Sequence, residues 1–295
     1  MAANTPSTHS NWRRQWWSLN ALEAFEAPRL LTSRMNDRSS EVTGQPGQVL
    51  NIPEVTELTD SAVGDQGEVS EQSPGATNQT LTIDQYRESS MRFRNDYKFQ
   101  IAMREPTWAK MQGRALKERM EVYALGLYTA VNAANVRNIS GDIVDSELHL
   151  LLAQSVTNDW PTSNRHLLVS GGQMTAVLGD DRFADAQFIG DGNLPVSTGR
   201  LKAVYGFEPL TSSLVRRESI SGTVRTVNMA WIGKHPMGGA FCKGVQQDIK
   251  FDYEKDQLSH LVIASFLYGI AAVGVAAYSS GGLGGKIRLM QTTNA

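Results

Sequence analysis

The string closest to a recognised chemical motif lies near the end of the chain. Gly281 to Lys286 reads GGLGGK. A phosphate loop needs four residues between its outer glycines, Ser or Thr after the Lys, and a helix behind it. Here Ile287 follows Lys286 and only nine residues remain. The string is expected to be a turn before a terminal strand. The histidines are His9, His149, His166, His235 and His260. No two stand three to five residues apart, so none forms a helical metal pair. Cys242 is the single cysteine. It excludes an intrachain disulfide and leaves a cysteine-based zinc site short of ligands. Asp180 and Asp181 are adjacent, and adjacent residues do not face each other on a helix. A G-x-S-x-G nucleophile elbow is absent. No nucleophile, base and orienter set emerges. The expectation is therefore a non-enzymatic protein with no metal and no cofactor.

The chain has 295 residues, 41 % hydrophobic and 20 % charged, with a net charge of -2. That composition suits a globular protein of one or two domains. No global basic field advertises nucleic-acid binding. The first twenty residues carry no apolar run of signal-peptide length. Leu261 to Tyr278 is a run of 18 uncharged, mostly apolar residues, the lower bound for a membrane span. Gly269, Gly274 and the lack of anchoring flanks favour two buried strands broken near Gly269, and no membrane partner.

What does stand out is an extended polar hairpin. Residues 47–52 (GQVLNI) and 79–85 (QTLTIDQ) alternate like strands. The 26 residues between them contain no aromatic residue. A lone two-stranded hairpin is marginal in water. Such an arm is expected to rest on another copy of the chain, because nothing of its own is evident to pack on. Its charge sharpens this. From Ser39 to Tyr86 there are eight acidic residues and no Lys or Arg. From Arg87 to Arg119 there are nine basic residues against four acidic ones. Opposite charge on successive segments suits docking of one subunit's arm on another's basic surface. The expected contacts set Glu54, Glu57, Glu68 and Glu71 against Arg92, Arg94, Arg104, Lys110, Arg114 and Lys117.

Further elements follow from pattern. Trp12, Trp16 and Trp17, beside Arg13 and Arg14, form an aromatic-basic cluster suited to anchoring an N-terminal arm. Residues 106 to about 135 read as one helix of about 45 Å. Pro106 fits its first turn, and Leu116, Met120, Tyr123, Leu127 and Val131 form its apolar stripe. Asp145 to Ser155 is a short helix. Arg165 to Val169 is a strand turning through Ser170 into a second short helix. Strands are expected near 201–207 and 224–232, over Val245 to Tyr253, and over 261–268 and 270–278.

This order of parts resembles the major capsid proteins of tailed double-stranded DNA bacteriophages, the Hong Kong 97-type fold. GQVLNIP, a long polar loop and TLTIDQY are similar to the extended E-loop and its return strand. RFRNDYKFQIAMREPTWAKMQGRALKERMEVYALGLYTAV is similar to the passage into the spine helix. HLLVSGGQMTAVLGDDRFADA and GRLKAVYGFEPLTSSLV resemble axial-domain segments. DIKFDYEKDQLSHLVIASFLYGIAAV resembles the last peripheral-domain strands, with Tyr268 and Gly269 at the turn between them. No single string is a fingerprint; the resemblance lies in six pieces in order across nearly the whole chain.

The resemblance implies an α+β fold with an N-terminal arm (1–45) and an E-loop (46–86). A peripheral domain with the spine helix (87–141), an axial domain (142–240) and peripheral return strands with the C-terminus (241–295) would follow. It implies self-assembly into hexamers and pentamers forming an icosahedral shell around double-stranded DNA, without sequence-specific binding. Separate scaffolding, portal and cement proteins would be its partners. Its place would be the virion capsid, assembled in the host cytoplasm. The charge map, and not the resemblance, makes the basic spine region the expected seat of a neighbour's E-loop. No Lys occurs between Ser39 and Tyr86, so an E-loop lysine crosslink is not available. The rivals are an encapsulin-type nanocompartment of the same fold and an enzyme with a dispersed site.

Overall fold

The structure is a computed structural model that describes residues 29–43, 46–55, 60, 63, 71, 76–94, 105–180, 183, 201, 203–220, 222–235, 239–254, 259–273 and 285–293. In chain order the strands are β1 (Asn36–Asp37), β2 (Val49–Val55), β3 (Ala76–Thr82), β4 (Gln85–Arg94), β5 (Val136–Ile139), β6 (Arg165–Val169), β7 (Glu208–Thr211), β8 (Arg217–Ile220), β9 (Thr223–Ile232), β10 (Phe241–Glu254), β11 (Ser259–Ala272) and β12 (Ile287–Thr292). The helices are α1 (Glu105–Gly126), α2 (Asp145–Thr157) and α3 (Gly171–Leu178).

One sheet runs β1-β10-β11-β4, and β10 and β11 pair antiparallel along their full length. Side chains alternate across a strand, and β11 uses both faces. Ala264, Phe266, Tyr268 and Ile270 join Leu116, Met120, Ala124 and Leu125 of α1 in the largest core. On the opposite face Leu267 packs with Leu81 and Ile83, against which Leu50 and Ile52 rest. The second sheet runs β5-β12-β9-β6-β7, with β8 added to β9. Its Leu168, Met229, Trp231, Ile287 and Leu289 point into the same largest core. The other face, with Leu167, Val169, Ala230, Ile232 and Met290, packs against Leu148 and Leu151 of α2 and Met174 and Val177 of α3. The two sheets therefore share one core.

Buried polar groups fix this second layer. Asn228 donates to the Met290 carbonyl at 3.2 Å and to Thr292 Oγ1 at 3.1 Å. Its own carbonyl accepts from the Ser170 N–H at 3.1 Å. The side chain of Ser170 in turn caps α3 by accepting from the Gln173 N–H. Removing any of these would leave a buried donor or acceptor without its bond, which costs more than the bond is worth when made.

Four expectations need correction. The long helix ends at Gly126 and not near 135; a 3-10 turn over Leu127–Ala130 follows, and Asn132 caps another over Ala133–Asn135. Gly, Thr and Val are poor helix formers, and the Tyr128 hydroxyl is tied to Glu218 on β8, which pulls the chain out of the helix line. Residues 261–272 are one strand, with no turn at Tyr268 or Gly269. Residues 204–207 form a tight turn, with Tyr205 and Gly206 both at positive φ, in place of a strand. Finally, β5 and β12 lie in the second sheet, paired with each other and β12 with β9. The 87–141 and 241–295 segments thus each give one strand to the layer expected from 142–240 alone. After Lys286 comes a strand, as expected, and not the helix a phosphate loop needs.

Candidate subunit-contact surface

The base of the β2–β3 hairpin is built on an exchange of space between glycines. Gly244 and Gly269 face each other across β10 and β11. A Cβ on Gly269 would sit 2.1 Å from the Thr82 carbonyl oxygen. A Cβ on Gly244 would sit 2.8 Å from Val42 Cγ2 and 3.0 Å from Ile83 Cδ1. The missing side chains form the seat on which residues 81–83 lie. Gly47 and Gln48 close the base through hydrogen bonds of 2.8 Å with the Ile83 carbonyl and N–H. The expectation that the hairpin has nothing of its own to pack on is therefore corrected for its base, where Leu81 and Ile83 are fully buried.

The segment before β1 is tied to α1 by one carboxylate. Glu121 is fully buried. Its oxygens accept from the N–H groups of Leu30, Leu31 and Thr32 at 3.0, 2.7 and 2.9 Å, and from Thr32 Oγ1 at 2.6 Å. A buried charge is tolerable when hydrogen bonds replace its water shell, and these four do so. They also satisfy the unpaired N–H groups at the start of the 3-10 turn Thr32–Arg34. The sequence signal was present but unused: Glu121 interrupts an apolar stripe between Met120 and Ala124.

From that turn, Arg34 reaches the second sheet. It meets Glu208 of β7 at 2.8 and 3.4 Å, and the same carboxylate lies 2.8 Å from His166 Nδ1 of β6. The Arg34 hydrogen bond holds the Glu208 carboxyl below its ordinary range. Burial lowers the His166 pKa, against the opposing pull of Glu208. At the far end of α1, burial first and the hydrogen bond to Glu218 second push the Tyr128 hydroxyl up to about 12. The β1 segment and α1 are thus fastened to the second sheet at two separated points.

The expected contact residues are distributed as follows. Trp12, Trp16, Trp17, Glu57, Glu68 and Arg104 lie outside the described residues, as do the side chains of Glu54, Arg94 and Lys110. Glu71 is exposed, and Arg114 and Lys117 are half-buried on α1. Arg92 is exposed on β4 but already bridges Glu254 of β10 at 2.9 Å. Arg92 pairs with Leu261, an odd-numbered position of β11, whereas α1 covers the even-numbered ones. By alternation Arg92 occupies the sheet face opposite α1. The structure does not bring Arg92 onto one surface with Arg114 and Lys117.

These features define an α+β fold of the Hong Kong 97 type. Solved structures similar to it include phage capsids. A capsid structure of the cyanophage P-SCSP1u matches with a TM-score of 0.72 at 12 % identity, covering 95 % of this chain and 93 % of that one. Mycobacterium phage Che8 matches at 0.69 and 15 %, covering 95 % and 97 %. The capsid of Ralstonia phage GP4 matches at 0.64 and 11 %, covering 100 % and 99 %. At such identities the likeness is one of fold. No protein-family model matches the sequence, and no curated protein matches it.

Proposed function

We propose that this chain is a structural capsid subunit, not an enzyme. Copies of it would assemble into hexamers and pentamers of an icosahedral shell that encloses double-stranded DNA. The observation that carries this reading is the near end-to-end match to phage capsid structures, with 95 % or more of this chain covered. Scaffolding, portal and cement proteins would be separate chains, and assembly would take place in the host cytoplasm. In this reading the outer part of the hairpin reaches a neighbouring subunit. Its carboxylates (Glu54, Glu57, Glu68, Glu71) meet the basic residues of the following segment, chiefly Lys110, Arg114 and Lys117 of α1. Arg92 would join only by leaving Glu254. An exposed pair contributes about 0–1 kcal/mol, so the effect comes from repetition over the shell. Electron microscopy of the recombinant protein tests the reading. Closed shells are expected from the wild-type chain. Reversal of the four glutamates to lysine should leave a folded subunit that forms none; normal shells from that variant would remove the docking scheme, and a lasting ~32 kDa monomer from the wild type would remove the capsid reading.

A further inference from the structure

Among the described residues, most of the outer edge of strand β10 is left without a partner strand. Its inner side pairs with β11 throughout, but on the outer side β1 covers only Cys242 and Lys243. Just beyond, the Ser39 hydroxyl accepts from the Val245 N–H at 3.0 Å. Among the described residues no strand pairs with the remaining outer edge. The stretch beyond Val245, from Gln246 to Glu254, is left without a partner strand among the described residues, and Ile249 lies within it. Residues 246–250 are all exposed, and Ile249 is 49 % exposed. A long edge of this kind is a template for another strand unless it is blunted, and this one carries no proline.

We propose that this edge pairs with the same edge of a second copy, antiparallel about a two-fold axis through Ile249. Backbone direction comes first. The outward bonds at Lys243 and Val245 set the parity, so Gln247, Ile249 and Phe251 also direct their N–H and C=O groups outward. Outward residues must meet outward residues, so the axis passes through a residue and not between two, and three such registers lie within one residue of Ile249. With Lys250 at the centre, Lys250 meets its own copy. With Asp248 at the centre, Asp248 does. With Ile249 at the centre, Asp248 meets Lys250 of the second copy, and Lys250 meets Asp248. Like charges directly opposite are destabilising and opposite charges favourable. Of these three, only the Ile249 register sets opposite charges against each other.

Asp248 and Lys250 lie 3.2 Å apart within one chain, with 52 % and 73 % of their side chains exposed. In the paired edge they form a closed ring of four alternating charges. Ile249 packs on its own copy on the other face, and Gln247 stands opposite Phe251. The three hydrogen-bonded pairs would exchange about six backbone bonds. Such self-complementarity is what an isologous two-fold contact requires. It is a contact between copies distinct from the E-loop scheme and does not require shell closure.

Ile249→Cys tests it. A hydrogen-bonded antiparallel pair places Cα atoms about 5.5 Å apart, within disulfide reach. Under mild oxidation by diamide, Ile249→Cys should give a crosslinked dimer at least about tenfold above Val224→Cys, an exposed control on β9. Adding Asp248→Lys or Lys250→Asp should each abolish the dimer. Mixing those two charge variants should restore it, as should Asp248→Lys and Lys250→Asp together in one chain. Circular dichroism verifies that each variant is folded. No crosslink, or one indifferent to the charge reversals, overturns the proposal. Shells without the crosslink would overturn this contact alone, and crosslinked dimers without shells would uphold it while overturning the capsid reading.

Discussion

Gly244 and Gly269 stand directly opposite each other on β10 and β11, and the space they leave is filled by residues 81–83 at the root of the hairpin. The root is thus held by close backbone approach and not by charge. Gly269→Ala is expected to push its new methyl into the Thr82 carbonyl. Backbone cannot swing aside as a side chain does, so a loss of about 1–3 kcal/mol is expected. Chemical denaturation gives the loss, and hydrogen exchange at Leu81 to Ile83 shows whether it is local to the hairpin root. Unchanged exchange there would argue against the seat.

Glu121→Ala should be among the most damaging substitutions in α1. It leaves three N–H groups and the Thr32 hydroxyl without their acceptor, at about 1–3 kcal/mol for each buried group left unpaired. Limited proteolysis should then cut near Leu30 to Thr32 many times faster than in the wild type. Equal cleavage rates would show that the carboxylate does not anchor this segment.

Acid should loosen the Arg34–Glu208–His166 link. Both His166 and Glu208 have folded-state pKa values below their ordinary ones. In each case the unfolded chain takes up its proton first as pH falls, so stability is lost on acidification. The loss should begin near pH 6.5 through His166 and extend below about pH 4.3 through Glu208. Glu208→Gln should remove the lower part of this slope and keep the upper. Thermal melts from pH 8 to 3.5 on both proteins measure it; parallel curves would exclude Glu208.

If the proposed shell lets DNA enter and leave, its wall should bind DNA weakly. With a net charge of -2, isolated subunits should show no tight, salt-sensitive affinity for duplex DNA. Fluorescence anisotropy across a salt series checks this. A steep fall in affinity with salt would reveal a concentrated basic surface.

Local pattern was legible where one period governs a segment. The strand Arg165–Val169, the turn at Ser170 and the helix Gly171–Leu178 follow from an apolar run, a capping serine and the glycines after it. The strand β10 was legible from alternation, and the hairpin from its two alternating arms. The glycine at 269 was visible too, but its meaning was not. A glycine inside a strand can mark a turn or a close approach, and only the position of Thr82 selects the second.

Residue type and short-range spacing were enough for the hairpin's polarity, the change of charge that follows it, and the main helices and strands such as α2, β6, α3 and β10. Tertiary structure decided what no local period encodes. It placed β12 beside β5 and β9, more than 50 residues distant along the chain. It buried Glu121 against N–H groups about 90 residues away. It turned Arg92 to the sheet face opposite α1 and gave it to Glu254. These outcomes depend on which distant backbone groups come within about 3 Å of one another, and that distance is fixed only when the sheets close on a common core.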